Sequence, residues 1–430
     1  MRRLGSEPRV DKALWLLACA TPVVTGILML LLVRGAGRYS PPDFGGPEPK
    51  ATHEAALEIL ERGRTEMVFH PTGYAYLVAP VYLVLPRVPS SVLWVQILLL
   101  PSMVWSVARL AGLAGDGARR AALILMALYY PLGYYAASFS SVYPAMIFLS
   151  LALAWFLPSD GRDHVAIRAM ASGAALGIAT CLRPNLGLVG LVLVLASWIT
   201  TRDLRRTAWR ILPVAAVSLG LVVVMTWANP PEPGQLTRGS QAFHRSVLQG
   251  SYQFADKWWD WDWYESDGDP GFVAYREHIA RIEAETGRPF TAPESQPVVA
   301  REAWRRISDH PWLALKKAAI SAVRIWILIP THLSSLPIKV IIALQEFVLL
   351  ASAVGGALVL RRRPAGLALL AGTMVLVAAS HLVLHVEPRY SLPARGAELA
   401  LAAIGLERLW ATSFGGLLTK RSSTGPGGSG

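Results

Sequence analysis

Long apolar runs recur along almost the whole chain, and they limit its fold more than any other feature. They lie near residues 13–33, 74–86, 91–110, 121–137, 142–158, 169–182, 186–200, 211–228, 313–330, 338–360, 366–385 and 393–412. A helix crossing a hydrocarbon core about 30 Å thick needs about 20 such residues, and most of the runs approach that length. Composition agrees. Of 430 residues, 53% are hydrophobic and 16% charged, against roughly 25% charged in soluble globular domains. This argues against a soluble enzyme, a disordered chain and a disulfide scaffold, and for an all-α polytopic membrane protein.

The net charge of +12, from 41 Lys and Arg against 29 Asp and Glu, is interpreted by position. If all twelve blocks crossed, Arg-rich loops would fall on both sides of the membrane, against the tendency of short cytoplasmic loops to carry Lys and Arg. Two blocks are suspect: 74–86 is short and broken by Pro80 and Pro86, and 313–330 carries Lys316, Lys317 and Arg324. Treating both as juxtamembrane helices puts the clusters Arg2/Arg3, Arg109/Arg119/Arg120, Arg162/Arg168, Arg202/Arg205/Arg206/Arg210 and Arg361/Arg362/Arg363 on one side. The expectation is therefore about ten spans in a single domain, 1–421, with both termini cytoplasmic in the plasma (inner) membrane. Two outer segments follow, about 34–89 and a large one about 229–336, and 422–430 is a Gly/Ser-rich flexible tail. The first block is too long for the core of a signal peptide and is read as an uncleaved anchor. Basic residues spent on orientation leave no case for nucleic acid. Cys19 and Cys181, both within apolar stretches, support neither a disulfide framework nor a cysteine metal site.

Chemistry is expected on the outer face, where polar residues collect. In the first outer segment Asp43 and Glu48 lie on a Pro/Gly-rich loop ahead of a helix over 52–62, with Thr52 at its N-cap position. A carboxylate there is either a general base for an acceptor hydroxyl or a solvated or capping group. His70 and Tyr74 flank a Pro-Thr-Gly turn and are candidate substrate contacts, with structural hydrogen bonding as the alternative for His70. Arg183, before Pro184, lies at an outer boundary where orientation cannot account for it. His385, Glu387, Arg389 and Tyr390 lie at the end of the ninth span. Boundary Arg is costly unless paired, and its planar fork of donors suits phosphate oxygens. Arg183 and Arg389 are therefore candidate phosphate contacts, with His385 and Tyr390 beside them. Arg395 is expected instead to pair with Glu387 or to reach lipid headgroups.

The large outer segment carries Arg238, His244 and an alternation of Trp258, Trp259, Asp260, Trp261, Asp262 and Trp263. Flat rings stack on sugar C–H faces and carboxylates accept hydroxyl hydrogen bonds, so Arg238, His244, Trp261 and Asp262 are candidate substrate contacts. An aromatic membrane-anchoring loop is the alternative. Asp260, Asp262, Glu265, Asp267 and Asp269 offer oxygen ligands to a hard cation, but the twelve-residue calcium-loop spacing is absent, and no metal is assigned.

The order of these pieces resembles the GT-C superfamily of polytopic glycosyltransferases, especially bacterial relatives of protein O-mannosyltransferase and the lipid A aminoarabinose transferase. The matching pieces are the acidic first outer loop with its helix ending at Gly63, the His70–Tyr74 turn, and the Leu182-Arg183-Pro184 junction. The Asp309-His310-Pro311 helix end and the run from Glu387 to Pro393 complete the set. The resemblance implies sugar transfer from a polyprenyl-phosphate donor, with Asp43, or Glu48 as the alternative, as catalytic base and Arg183 and Arg389 on the donor phosphate. No cofactor is required, although a divalent cation is compatible. The acceptor, whether lipid, glycan or protein, is left open. Two departures stand out: Ser140-Ser141 occupies the position where the family commonly has a Glu, and the chain stops after the tenth span. A transporter or flippase of lipid-linked sugar, or a non-catalytic assembly subunit, is the competing reading.

Overall fold

Helices follow the apolar runs, and proline and glycine set where they stop. The computed structural model describes residues 9–35, 47–65, 72–157, 165–230, 240–255, 269–290, 292–328 and 336–422, and among these there is no strand. The first half comprises α1 (Arg9–Gly35), α2 (Pro47–Arg62), α3 (Gly73–Val84), α4 (Pro89–Leu98), α5 (Leu100–Ala111), α6 (Asp116–Leu128), α7 (Pro131–Ala136), α8 (Val142–Phe156) and α9 (Val165–Leu182). It is followed by α10 (Val189–Thr201) and α11 (Leu204–Ala228). A polar lobe holds α12 (Ser240–Gly250), α13 (Pro270–Thr286), α14 (Gln296–Asp309) and α15 (Pro311–Arg324). The chain then returns to the bundle through α16 (Leu336–Leu360), α17 (Pro364–Ala379) and α18 (Arg395–Ser422).

Six helical stretches are long and apolar enough to cross a membrane: Lys12–Leu32, Pro89–Ala111, Val165–Leu182, Pro184–Thr201, Leu204–Ala228 and Lys339–Leu360. The expectation of ten is not reached among the described residues, for local reasons. Pro131 breaks the block 121–137 into α6 and α7. Helices α8 and α17 have 15 and 16 residues, and α18 carries Glu398 and Glu407. The long helices present bare apolar side chains outward, Leu16 (73% exposed) and Trp227 (83%) among them. Water would not tolerate so continuous an apolar face, but lipid does. The chain is a multi-pass membrane protein.

The two suspect blocks are short helices. At 1.5 Å per residue α3 is about 18 Å long and α15 about 21 Å, short of a 30 Å core. Neither floats free: α3 buries Tyr74, Ala75, Val78, Ala79 and Tyr82 in the bundle core, and α15 buries Lys317 and Arg324. Helix α2 begins at Pro47 rather than after Thr52, and Thr52, 3% exposed, is packed inside it. The expected N-cap is thus an interior residue, because Pro47 supplies a preset first turn.

Inside the bundle α16 and α18 cross at two glycines. A Cβ on Gly356 would lie 1.9 Å from the Leu401 carbonyl oxygen, and one on Gly405 2.0 Å from that of Ser352. Only a hydrogen fits at either place, which is the usual basis of close helix crossings in membranes. Near the same crossing Arg395 is completely buried. Its guanidinium donates to Glu346 Oε2 (2.9 Å), Glu398 Oε2 (2.6 Å), the Trp326 carbonyl (3.2 Å) and Ser391 Oγ (3.3 Å), while the Tyr129 hydroxyl donates to Glu346 Oε1 (2.9 Å). Arg395 therefore ties α18 to α16 and to the segment that follows α15, and neither Glu387 nor the lipid surface is its partner.

The polar lobe has a small core of its own, built on Val247, Leu248, Tyr252, Tyr275, Ile282, Val299 and Ala303. His278 ties α13 to its neighbours, with Nδ1 2.7 Å from the Tyr252 hydroxyl and Nε2 3.2 Å from Glu302.

Candidate functional site

Two X-Pro junctions shape the site. Proline disfavours the helical region for the residue before it, so Arg183 (φ −146°, ψ 99°) and Glu387 (φ −116°, ψ 147°) are both extended. Arg183 closes the last turn of α9, its N–H donating to the Ala179 carbonyl at 2.8 Å, and then leaves the helix axis. Glu387 opens a 3₁₀ turn, Pro388–Ala394, that leads into α18. In a 3₁₀ turn residues i and i+3 eclipse. Tyr390 accordingly sits over Glu387, its N–H bonded to the Glu387 carbonyl at 3.0 Å and its hydroxyl donating to Oε1 at 3.3 Å.

The two junctions meet at the Tyr390 ring. The guanidinium of Arg183 lies 5.2 Å and that of Arg389 5.8 Å from its centroid. Arg389 also pairs with both oxygens of Glu387, through Nε to Oε2 and at 3.2 Å to Oε1. The His381 ring stacks on Tyr390 at 5.2 Å, and the His385 ring meets it edge-on at 6.1 Å. Asn185 Nδ2 donates to Ser380 Oγ at 3.0 Å, pinning the α9 exit to the end of α17. The Nε of Arg183 is buried and makes no hydrogen bond to any described residue, an uncommon state for a buried donor.

Electrostatics follow from this packing. Burial pushes the Glu387 carboxyl up, but Arg389, His385 and Arg183 outweigh it, so the group lies below the ordinary carboxylate range and is ionised. Burial pulls His381 and His385 down to about 4, the latter partly opposed by Glu387. Both imidazoles are therefore neutral near pH 7. Among the described residues, two guanidiniums face one carboxylate here.

A second set of contacts fixes the segment 381–386. Lys317 Nζ, buried on α15, donates to the carbonyls of His381 (3.2 Å), Leu382 (2.8 Å) and Leu384. Burial lowers its pKa to about 7. The side-chain amide of Gln253 donates to the Val386 carbonyl (2.7 Å) and accepts from the Val386 N–H (2.9 Å). The N–H of His385 donates to the Ser246 carbonyl of α12 at 2.8 Å. Sequence reasoning missed Lys317, Gln253, His381 and Asn185 as parts of this site. For Lys317 the signal was present, a lysine inside an apolar, helix-spaced run. The others carry no signal in their own neighbourhood.

Of the expected site residues, Arg183, His385, Arg389 and Tyr390 are brought together. Tyr74 is elsewhere: it is 2% exposed, its hydroxyl donates to Gln96 Oε1 at 2.7 Å and its ring packs 5.3 Å from Phe139. The turn that carries it does reach the site's edge, because a Cβ on Gly73 would lie 2.2 Å from the Cys181 carbonyl. His244 is half-buried on α12 against Phe243, two residues from Ser246. Asp43, His70, Arg238, Trp261 and Asp262 lie outside the described residues, as does the side chain of Glu48 in the first turn of α2. Among the described residues no three His, Cys, Asp or Glu side chains converge as a metal site. Asp269, at the end of the acidic run, caps α13 by accepting from the Phe272 N–H at 3.0 Å.

No protein-family model matches the chain, and none of the curated proteins compared matches it in sequence. Solved structures do match in fold. The oligosaccharyltransferase of Archaeoglobus fulgidus, in its apo form, aligns with a TM-score of 0.56 at 12% identity, covering 98% of this chain and 53% of the other. An archaeal oligosaccharyltransferase from the same organism, in complex with an inhibitory peptide and a dolichol-phosphate, aligns at 0.54 and 11%, with the same coverages. ArnT from Cupriavidus metallidurans, bound to undecaprenyl phosphate, gives a weaker likeness at 0.42 and 14%, covering 94% of this chain and 78% of the other. The chain thus shares the fold of these archaeal structures and spans about half their length.

Proposed function

We propose that this chain is a membrane glycosyltransferase that moves a sugar from a polyprenyl-phosphate donor to an acceptor at the extracytoplasmic face, the side on which the polar lobe then lies. The observation that carries the reading is the convergence of Arg183 and Arg389 on Tyr390 where α9 and α17 end. A lipid phosphate has its tail in the bilayer and its charge at such a boundary, and a guanidinium fork matches its oxygens. Glu387 pairs with Arg389, and Arg183 retains a buried N–H without an acceptor among the described residues. The archaeal structure solved with a dolichol-phosphate supports this class of lipid.

The chemistry is a displacement at the anomeric carbon, taken as inverting. Asp43, or Glu48, removes the proton from an acceptor hydroxyl as its oxygen bonds to that carbon. The carbon–oxygen bond to the donor phosphate breaks, and the electron pair leaves on the phosphate oxygen. Arg183 and Arg389 stabilise the charge that develops there, and groups held in place before reaction need not reorganise during it. His385, neutral and buried, supplies shape and hydrogen bonding rather than charge. Charge neutralisation suffices for a lipid monophosphate leaving group, so a divalent cation is compatible but not needed. Glu346, the carboxylate an ion-coupled transporter would use, is held by Arg395 and Tyr129, which favours the enzyme.

The test is transfer of labelled sugar from a polyprenyl-phosphate donor by the reconstituted protein. Arg389→Ala is expected to lower kcat/KM by about 100-fold, the scale for removing one charge-stabilising donor. Either Asp43→Asn or Glu48→Gln is expected to abolish transfer. Unchanged rates in all three variants would refute the mechanism, and no transfer with any donor would favour a transporter or assembly subunit.

A further inference from the structure

The end of the bundle away from the transfer site carries a second convergence of guanidiniums. Helices α9 and α11 pack at two glycines: a Cβ on Gly173 would lie 2.5 Å from the Val214 carbonyl oxygen, and one on Gly177 3.0 Å from the Ser218 Cα. The second contact lies four residues beyond the first on both helices, so α9 and α11 run parallel, and this register sets residue 168 level with residue 209. Arg168 and Arg210 therefore lie side by side near the starts of their helices, at the end of α8. Arg168 donates through one terminal nitrogen to the carbonyls of Trp155 (3.3 Å) and Leu157. Arg210 donates to the Phe156 carbonyl at 2.7 Å, with its guanidinium 4.5 Å from the Phe156 ring centroid. Along α9, Arg168 is about 22 Å from Arg183, so the two sites lie toward opposite faces of the membrane.

Capping explains part of this arrangement. The carbonyls at a helix C-terminus carry about half a negative charge and attract cations, but two full positive charges meet them here. Arg168 and Arg210 also lie close enough to repel each other as like charges. Among the described residues their contacts are the α8 carbonyls and the Phe156 ring, and no carboxylate is one of them. Asp203, the acid at the start of α11, accepts from the N–H groups of Arg205 and Arg206 and pairs with the Arg206 side chain at 3.5 Å. Each capping interaction engages one terminal nitrogen of a guanidinium that carries five N–H donors in a planar fork suited to phosphate oxygens. The surroundings are lipid. On the same level Ile167 (60% exposed), Met170, Trp209 (68%) and Leu212 present bare side chains outward, and an indole beside the end of a span marks the membrane–water interface. An anion whose own chains lie in the bilayer fits both halves of this environment.

We infer that Arg168 and Arg210 together hold the phosphate of an anionic phospholipid whose acyl chains run along the outward faces of α9 and α11. A zwitterionic lipid brings its own ammonium, for which the described residues here offer no carboxylate, so the site prefers an anionic headgroup. This inference does not use the glycosyltransferase reading. The test is lipid binding to the full chain by native mass spectrometry, comparing phosphatidylglycerol with phosphatidylcholine of the same acyl chains. The wild-type protein is expected to bind phosphatidylglycerol about tenfold tighter. Arg168→Gln and Arg210→Gln, whose amides can still cap α8, should each lower that preference about threefold and together abolish it. Arg205→Gln with Arg206→Gln removes the same charge from exposed positions nearby on α11 and should keep it. Glycerol 3-phosphate, the head chemistry without the chains, should not displace the lipid. Equal affinity for the two lipids, an unaltered preference in folded Arg168→Gln/Arg210→Gln protein, the same loss in both double variants, or displacement by glycerol 3-phosphate would each overturn the inference.

Discussion

Residues 381–390 hold an unusual density of titratable groups for so apolar a protein, and their pairing makes the site sensitive to acid. His381 and His385 titrate near 4 in the folded protein, against about 6.5 for a free histidine. Between those values the unfolded chain binds more protons than the folded one, so stability is complete above pH 6.5, falls as pH drops through the window and levels off below about 4. Glu387, held below its ordinary value of about 4.3, keeps its contribution through most of that range and loses it only as pH falls further, toward its lowered folded pKa. The expected loss is at most about 3 kcal/mol per histidine. Thermal unfolding followed from pH 8 to 4 should show the decline, and His385→Asn should flatten it. A wild-type profile level across that range would mean that the imidazoles are not held neutral. Lys317 acts by a different route: its three carbonyl acceptors make it a clamp on the loop backbone, away from the reacting atoms.

Helices here are placed by what they cannot accommodate. The crossing of α16 and α18 leaves no room for a side chain at Gly356 or Gly405, so Gly356→Val must push the helices apart. Overpacking of this kind costs about 1–3 kcal/mol or more. At Gly220 of α11 an added Cβ meets nothing within 4 Å, and Gly220→Ala should be neutral or slightly stabilising through helix propensity. Detergent-resistance midpoints of the two variants should separate in that order; equal midpoints would place the crossing elsewhere. Features of this scale were legible in the sequence where they are local. Arg183-Pro184 and Glu387-Pro388 show their extended geometry in two letters, and α3 and α15 show theirs in length and internal charge. The block 121–137 misled because the alternative to a span, a break at Pro131, is decided by packing against α1 and α16. The partners of Arg395 and Lys317 were hidden because Glu346 and Leu382 lie 49 and 65 residues away along the chain. Such contacts exist only once the bundle closes.

At the scale of the whole molecule, an apolar helical bundle supports a polar lobe with its own small core, and the candidate site lies where the two meet. The α9 exit and the α17–α18 connection bring the guanidiniums and Tyr390, while α12 and α15 hold the intervening loop from the lobe side. This arrangement places fixed positive charge at the end of apolar helices, where a lipid tail and a polar acceptor could reach the same point. Of the chain's many basic residues, Arg183 and Arg389 are the two whose guanidiniums meet at the Tyr390 ring. The most direct test is the affinity of the reconstituted protein for undecaprenyl phosphate. Arg183→Ala and Arg389→Ala should each weaken it at least tenfold, the lower end for a lost charged hydrogen bond of about 1.5–3 kcal/mol. Folded Arg183→Ala and Arg389→Ala proteins that both bind the lipid with wild-type affinity would contradict the account.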